Sequence, residues 1–117
     1  MGSFILADFY LCRREHLADQ QKIEEVFLEM LRNFGEPNQE VIIVSGVGEG
    51  FMGLFKVDGA RISFQTFPSY EYLALEVYVL KVLDPSIYVE YIVEKIQPQV
   101  VSVREFTRAE HLKTDCK

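Results

Sequence analysis

Cysteine and histidine are scarce in this sequence, and their scarcity closes off several kinds of chemistry. Two cysteines occur, Cys12 and Cys116, far apart and without the Cys-x-x-Cys spacing of thiol metal and redox motifs. Two histidines occur, His16 ahead of the first helical stretch and His111 near the end. They are too isolated to build a metal cluster or a catalytic triad, and both read as surface residues. No apolar run reaches the length of a membrane span, and no charged-then-apolar leader is present. Met1-Gly2 fails as a myristoylation site because Leu6 stands where Ser or Thr is wanted. Positive charge is also in deficit. With 12 Lys and Arg against 18 Asp and Glu, the net charge of −6 argues against a nucleic-acid partner, which selects for a basic stripe. No nucleic-acid or membrane partner is expected, and the default location is the cytoplasm.

What is present is enough apolar material for one core. At 117 residues and 49% hydrophobic, the chain reads as a single domain over residues 1–106 with a polar tail over 107–117. Residues 3–11 are strand-like, and Cys12 at their end reads as a small buried hydrophobe. A helix follows over about residues 19–34. Ile23, Val26, Phe27, Met30, Leu31 and Phe34 form its buried stripe, Asp19 its N-cap, and Gly35 with Pro37 its stop. Glu24, Glu25 and Glu29 lie off that stripe, on a solvated face. Residues 40–45 are a short aliphatic strand. Asp84-Pro85 opens a second helix ending before Pro98, with Tyr88, Tyr91, Ile92, Lys95 and Ile96 as its inward stripe, the lysine stem at the edge. Residues 100–106 alternate as a half-buried strand would.

One run imitates a nucleotide motif. Gly48-Glu49-Gly50-Phe51-Met52-Gly53 matches G-x-G-x-x-G, but the dinucleotide reading needs a helix to begin there so that its amides face a pyrophosphate. Leu54 to Val57 read as strand instead. The glycines are therefore expected to relieve crowding in a turn or bulge, or to line a cavity.

Residues 57–80 organise the rest. Two strand-like runs meet at Thr66-Phe67-Pro68-Ser69-Tyr70, and the first is entered through Asp58-Gly59, a tight-turn dipeptide. Over residues 72–80, Leu73, Leu75, Val77 and Val79 fall on one wholly aliphatic face that must lie on a core. Tyr72 and Tyr78 fall on the other, open face. The order β-α-β-β-β-β-α-β predicts an α+β fold with two helices on one face of a largely antiparallel sheet, a ferredoxin-like sheet being the neighbouring alternative.

Four pieces of the chain, in order, resemble the small prokaryotic S-adenosylmethionine decarboxylases. They are Ala7-Asp8-Phe9-Tyr10-Leu11-Cys12, the run from Gln65 to Tyr72 with the strand beyond it, Asp84-Pro85, and Val101-Ser102-Val103-Arg104-Glu105. The resemblance implies that family's two-layer sandwich and a homodimer whose active sites draw on both chains. The family cuts its own backbone at a Glu-Ser bond, and the serine becomes a pyruvoyl group that serves as electron sink. Here that bond is Gly59-Ala60, and alanine has no hydroxyl to attack the preceding carbonyl. The family's processing histidine is Gln65, which is no acid or base near neutral pH, and its proton-donating cysteine is Leu80. Neither Ser63, inside a strand, nor Ser45, without an acidic neighbour, replaces the lost serine.

These replacements imply no catalytic residues at Ala60, Gln65 or Leu80 and no pyruvoyl cofactor; no metal is expected either, from the isolation of the histidines. Tyr10, Gln65, Phe67, Ser69 and Tyr70 are the residues left to line the family's nucleoside pocket, with Ser69 standing for a glutamate suited to substrate hydroxyls. The resulting expectation is an inactive homologue, not self-processed, that acts through association with itself or with an active decarboxylase paralogue. Two alternatives stand beside it. One is a sensor that binds S-adenosylmethionine or a polyamine without turnover; the other is an active enzyme through non-standard processing.

Overall fold

Six strands and three α-helices account for most of residues 2–33, 40–47, 49–57, 59–80 and 84–108, the parts of the chain that the computed structural model describes. Strand β1 is Gly2–Tyr10, followed by α1 (Arg14–Ala18) and α2 (Gln20–Asn33). Then come β2 (Glu40–Val47), β3 (Gly50–Val57) and β4 (Ala60–Phe67). A 3₁₀ turn, Pro68–Tyr70, leads into β5 (Tyr72–Leu80), and α3 (Ser86–Ile96) and β6 (Val100–Arg108) complete the chain.

All five strand pairings are antiparallel, in the order β2-β3-β4-β5-β1-β6. Consecutive strands β2 to β5 form a meander, which needs only short turns. Gly59 takes a positive φ of 85° at the β3–β4 turn, the conformation a tight hairpin demands; Asp58 lies outside the described residues. β1 then inserts between β5 and β6. The sheet is thus one six-stranded layer rather than a four-stranded ferredoxin-like one.

The aliphatic parity of β5 puts Leu73, Leu75, Val77 and Val79 in the core, beside Ile5, Ala7 and Phe9 of β1. Helix α2 lays Ile23, Phe27, Met30 and Leu31 on this face, as its 3.6-residue period requires. Asp19 caps it, its Oδ1 accepting the amides of Gln21 at 3.0 Å and Lys22 at 3.3 Å. Phe34, Gly35 and Pro37 lie outside the described residues. The Phe27 ring stacks on Phe64 and Phe55 at centroid distances of 4.3 and 5.3 Å.

In α3, Asp84 Oδ1 accepts both the amide and the hydroxyl of Ser86, which holds its carboxyl below the usual carboxylate range. Gln97 ends the helix in the left-handed region with its amide on Val93 O at 2.9 Å. The buried stripe is Tyr88, Val89, Ile92 and Ile96. Tyr91 is half-buried, and Lys95 is exposed with its ammonium 5.5 Å from the Tyr91 ring centroid.

Three expectations need correction. The helical layer begins earlier than predicted, with α1, whose five residues are too few to show a period although Leu17 is fully buried. The strand β6 extends through Thr107 and Arg108, residues assigned to the tail. More important, β6 is not half-buried: residues 100–107 are exposed on both faces. It is an edge strand beyond the reach of the helices. Among the described residues no helix is long and apolar enough to cross a membrane.

Candidate functional site

The helices cover one face of the sheet; the opposite face is open, and period-2 geometry decides what stands on it. From β1 come Phe4, Leu6, Asp8 and Tyr10; from β4, Arg61, Ser63, Gln65 and Phe67; from β5, Tyr72, Ala74, Glu76, Tyr78 and Leu80. Register turns these into rows running across the strands. Gln65 sits between Met52 and Ala74, and Ala74 beside Asp8, itself beside Ser102.

The centre of this face is a concavity of about 550 Å³. Leu6, Asp8, Gln65, Tyr72, Glu76 and Arg104 are among its lining residues. At its floor the Tyr72 hydroxyl donates to Asp8 Oδ1. Burial raises the Tyr72 phenol above its ordinary range, and the bond to Asp8 adds to this, so the proton stays on the phenol. Ser63 Oγ donates to Glu76 Oε2 at 3.0 Å. A smaller hollow of about 350 Å³ adjoins it, where the Arg61 guanidinium stands 5.4 Å from the Tyr78 ring centroid.

One wall is aromatic. Tyr72 stacks between Tyr10 and Phe67, at centroid distances of 5.3 and 5.4 Å and interplanar angles of 20° and 23°. Of the five residues predicted to line a pocket, three therefore belong to this constellation: Gln65 in the concavity, Tyr10 and Phe67 in the stack. Ser69 and Tyr70 do not. They occupy the exposed 3₁₀ turn, where only Pro68 is buried and Tyr70 is 81% exposed.

The three positions expected to have lost their chemistry separate into two places. Ala60 points into the core and is 6% exposed. Leu80 lies beside it, its amide donating to Gly59 O at 2.8 Å, with its side chain 44% exposed. Gln65 is five residues along β4, roughly 16 Å away at about 3.3 Å per residue, and on the opposite face. Ser63 is locked into the sheet between Leu54 and Glu76, as expected for a strand residue.

Sequence reasoning missed Asp8, Glu76 and Arg104. Asp8 had a signal: it is the one charged side chain in β1, among residues that otherwise read as core. Gly50 and Gly53 belong to β3, with no helix start; Gly48 lies outside the described residues. A Cβ at Gly53 would lie 2.3 Å from Phe64 Cε2, so this glycine makes room for an aromatic ring. Elsewhere, His16 is half-buried, with Nδ1 3.4 Å from Ile96 O, and Cys12 is buried; His111 and Cys116 lie outside the described residues. Among the described residues no group of three His, Cys, Asp or Glu could hold a metal ion. The face offers stacking rings, two guanidiniums, two carboxylates and a carboxamide, groups suited to binding.

Comparison with known proteins agrees on this fold. A family model described as S-adenosylmethionine decarboxylase matches residues 3–109. An S-adenosylmethionine decarboxylase proenzyme of Geobacillus sp. (strain WCH70) is 27% identical over 108 residues, covering 92% of this chain and 87% of that protein. The proenzyme 2 of Halalkalibacterium halodurans is 26% identical, covering 92% and 86%. The crystal structure of the adenosylmethionine decarboxylase from Aquifex aeolicus VF5 superposes with a TM-score of 0.77 at 20% identity, over 97% of this chain and 98% of that one.

Proposed function

The chain belongs to the S-adenosylmethionine decarboxylase family, and from that premise we propose that it is a member without the family's chemistry, working through association. It remains one polypeptide, carries no pyruvoyl group, and its open sheet face meets a second chain, either another copy or an active decarboxylase paralogue whose rate it adjusts. The observation that carries this reading is Ala60. The relatives are proenzymes by name, and a chain that cuts itself by acyl shift needs a hydroxyl at the new terminus. A methyl group buried in the core has none to offer. Gln65 and Leu80 stand at the positions where the resemblance expects the family's acid–base groups, and neither side chain can transfer a proton near neutral pH.

Intact-mass spectrometry tests the claim directly. One species near 13.6 kDa is expected; two fragments, one with a carbonyl that reacts with hydrazine, would refute it. Co-purification with an active decarboxylase, and a changed rate on mixing, test the regulatory role.

A second reading, non-catalytic binding of a nucleoside or polyamine, draws on the Tyr10–Tyr72–Phe67 stack beside Asp8 and Glu76. Planar bases stack on such rings, and amines pair with carboxylates. This reading predicts calorimetric binding at micromolar levels or better, about −8 kcal/mol. No heat with S-adenosylmethionine, its decarboxylated form or a polyamine removes it.

A further inference from the structure

Register arranges the open face in rows, and the rows differ in charge. The first holds Lys56 of β3, Arg61 of β4, Tyr78 of β5 and Phe4 of β1, each paired with the next across adjacent strands. Two residues along, the second row holds Leu54, Ser63, Glu76 and Leu6. The third holds Met52, Gln65, Ala74 and Asp8. Successive rows lie about 6.8 Å apart, two residues of extended chain.

Positive charge gathers in the first row. Lys56 and Arg61 stand directly opposite each other, a like-charge pairing that weakens a sheet and that an anion between them would relieve. Among the described residues Arg61 forms no ion pair. Its guanidinium rests 5.4 Å from the Tyr78 ring centroid instead. Glycine makes that arrangement possible: a Cβ at Gly2 would lie 2.6 Å from the Tyr78 hydroxyl oxygen. Phe4, its ring centroid 6.4 Å from that of Tyr78, extends the aromatic wall. The hollow of about 350 Å³ that these residues line shares Leu54, Ser63 and Glu76 with the neighbouring concavity of about 550 Å³. Both lie within the size range of small-molecule sites, roughly 300–1,000 Å³.

We propose that this hollow is an anion subsite, taking the phosphate of a small phosphomonoester that also carries hydroxyls: a sugar phosphate or a nucleoside monophosphate. The Arg61 fork and the Lys56 ammonium meet the phosphate oxygens. One row on, Glu76 accepts the Ser63 hydroxyl at 3.0 Å and keeps lone pairs for the hydroxyls of a sugar. The row spacing of about 6.8 Å is close to the reach from a phosphate to the far hydroxyls of the sugar it esterifies. Glu76 also sets the direction of the ligand, because its charge repels a phosphate from the second row. A base, where the ligand has one, extends toward Gln65 in the third row. The inference rests on the open face being a binding face, as in the nucleoside or polyamine reading. It differs from that reading in requiring negative charge on the ligand.

Calorimetry with ribose 5-phosphate, adenosine 5′-monophosphate, adenosine and inorganic phosphate tests the subsite. The two phosphomonoesters should bind at least about tenfold more tightly than adenosine. Arg61→Gln should abolish that advantage with unchanged circular dichroism. Glu76→Gln should weaken ribose 5-phosphate several-fold and leave inorganic phosphate no weaker. Equal affinity for the two phosphomonoesters identifies a sugar phosphate. A nucleotide about tenfold tighter than ribose 5-phosphate identifies a ligand whose base is held as well. Binding of neither phosphomonoester overturns the proposal. Inorganic phosphate binding as tightly as both also overturns it, and marks an adventitious ion only. Adenosine binding as tightly as its monophosphate, both indifferent to Arg61→Gln, overturns the anion subsite and leaves the nucleoside reading standing. Absence of binding by S-adenosylmethionine and polyamines, with the phosphomonoesters bound, removes that reading and supports this one.

Discussion

Replacing Gly53 by alanine should destabilise the protein, by an amount that depends on one neighbour. The new methyl would lie 2.3 Å from Cε2 and 2.8 Å from Cζ of Phe64. That ring has nowhere to retreat. It is 2% exposed, stacked on Phe27 at 4.3 Å and close to Phe55 at 5.9 Å. Overpacking of this kind costs about 1–3 kcal/mol. For a domain of this size the melting temperature should fall by roughly 4 °C per kcal/mol, hence by about 4–12 °C. In a Phe64→Leu background the clash disappears, so the same substitution should cost less than half as much, a coupling of about 0.5 kcal/mol or more. Urea unfolding of the four proteins, followed by circular dichroism, gives both numbers. A Gly53→Ala protein within about 0.5 kcal/mol of wild type, or strictly additive costs, would refute the packing argument. The outcome also bears on the G-x-G-x-x-G imitation, because a phosphate-binding glycine has no reason to couple to Phe64.

Two further results are expected. Burial, reinforced by the negative charge of Glu71, pushes the Cys12 thiol up to about 11. A folded-state value above the unfolded one means that the unfolded chain releases its proton first. Stability should therefore decline as pH rises from about 9 to about 11, and the decline should be shallower in Cys12→Ala; parallel curves in denaturant titrations at pH 8 to 11 would contradict this. Gln97 holds φ at 54° at the C-cap of α3, a conformation that costs a residue with a Cβ roughly 1 kcal/mol. Gln97→Gly should raise the melting temperature by a few degrees, and a drop would show that the glutamine side chain contributes more than its backbone loses.

The parts of the fold that were legible in the sequence are those fixed by local rules. Residues 72–80 alternate without exception, so both faces of β5 could be assigned in advance. Asp19 and the 3.6-residue stripe behind it specify α2 by themselves, whereas Ala60, Gln65 and Leu80 stand out only through the resemblance to the family. What stayed hidden depends on neighbours distant in sequence. Val101 and Val103 alternate like core residues, and only the extent of the helical layer leaves them in the open. Asp8 acquires its meaning from Tyr72, 64 positions later. Tyr70 is expected near a pocket only through the resemblance of residues 65–72, and where the 3₁₀ turn leaves its ring, exposed and off the sheet face, depends on packing that residue type does not reveal.

The place of β1 has a consequence for synthesis. Made before either of them, residues 2–10 have both their strand partners at residues 72–80 and 100–108. While the ribosome is still adding the meander, an apolar ribbon containing Phe4, Ile5, Leu6 and Phe9 has no strand to join. Pairings between such distant segments form slowly, and unjoined strands invite aggregation. The nascent chain should therefore be a client for chaperones until β5 emerges, and a version beginning after residue 10 would leave β5 and β6 without the strand that joins them.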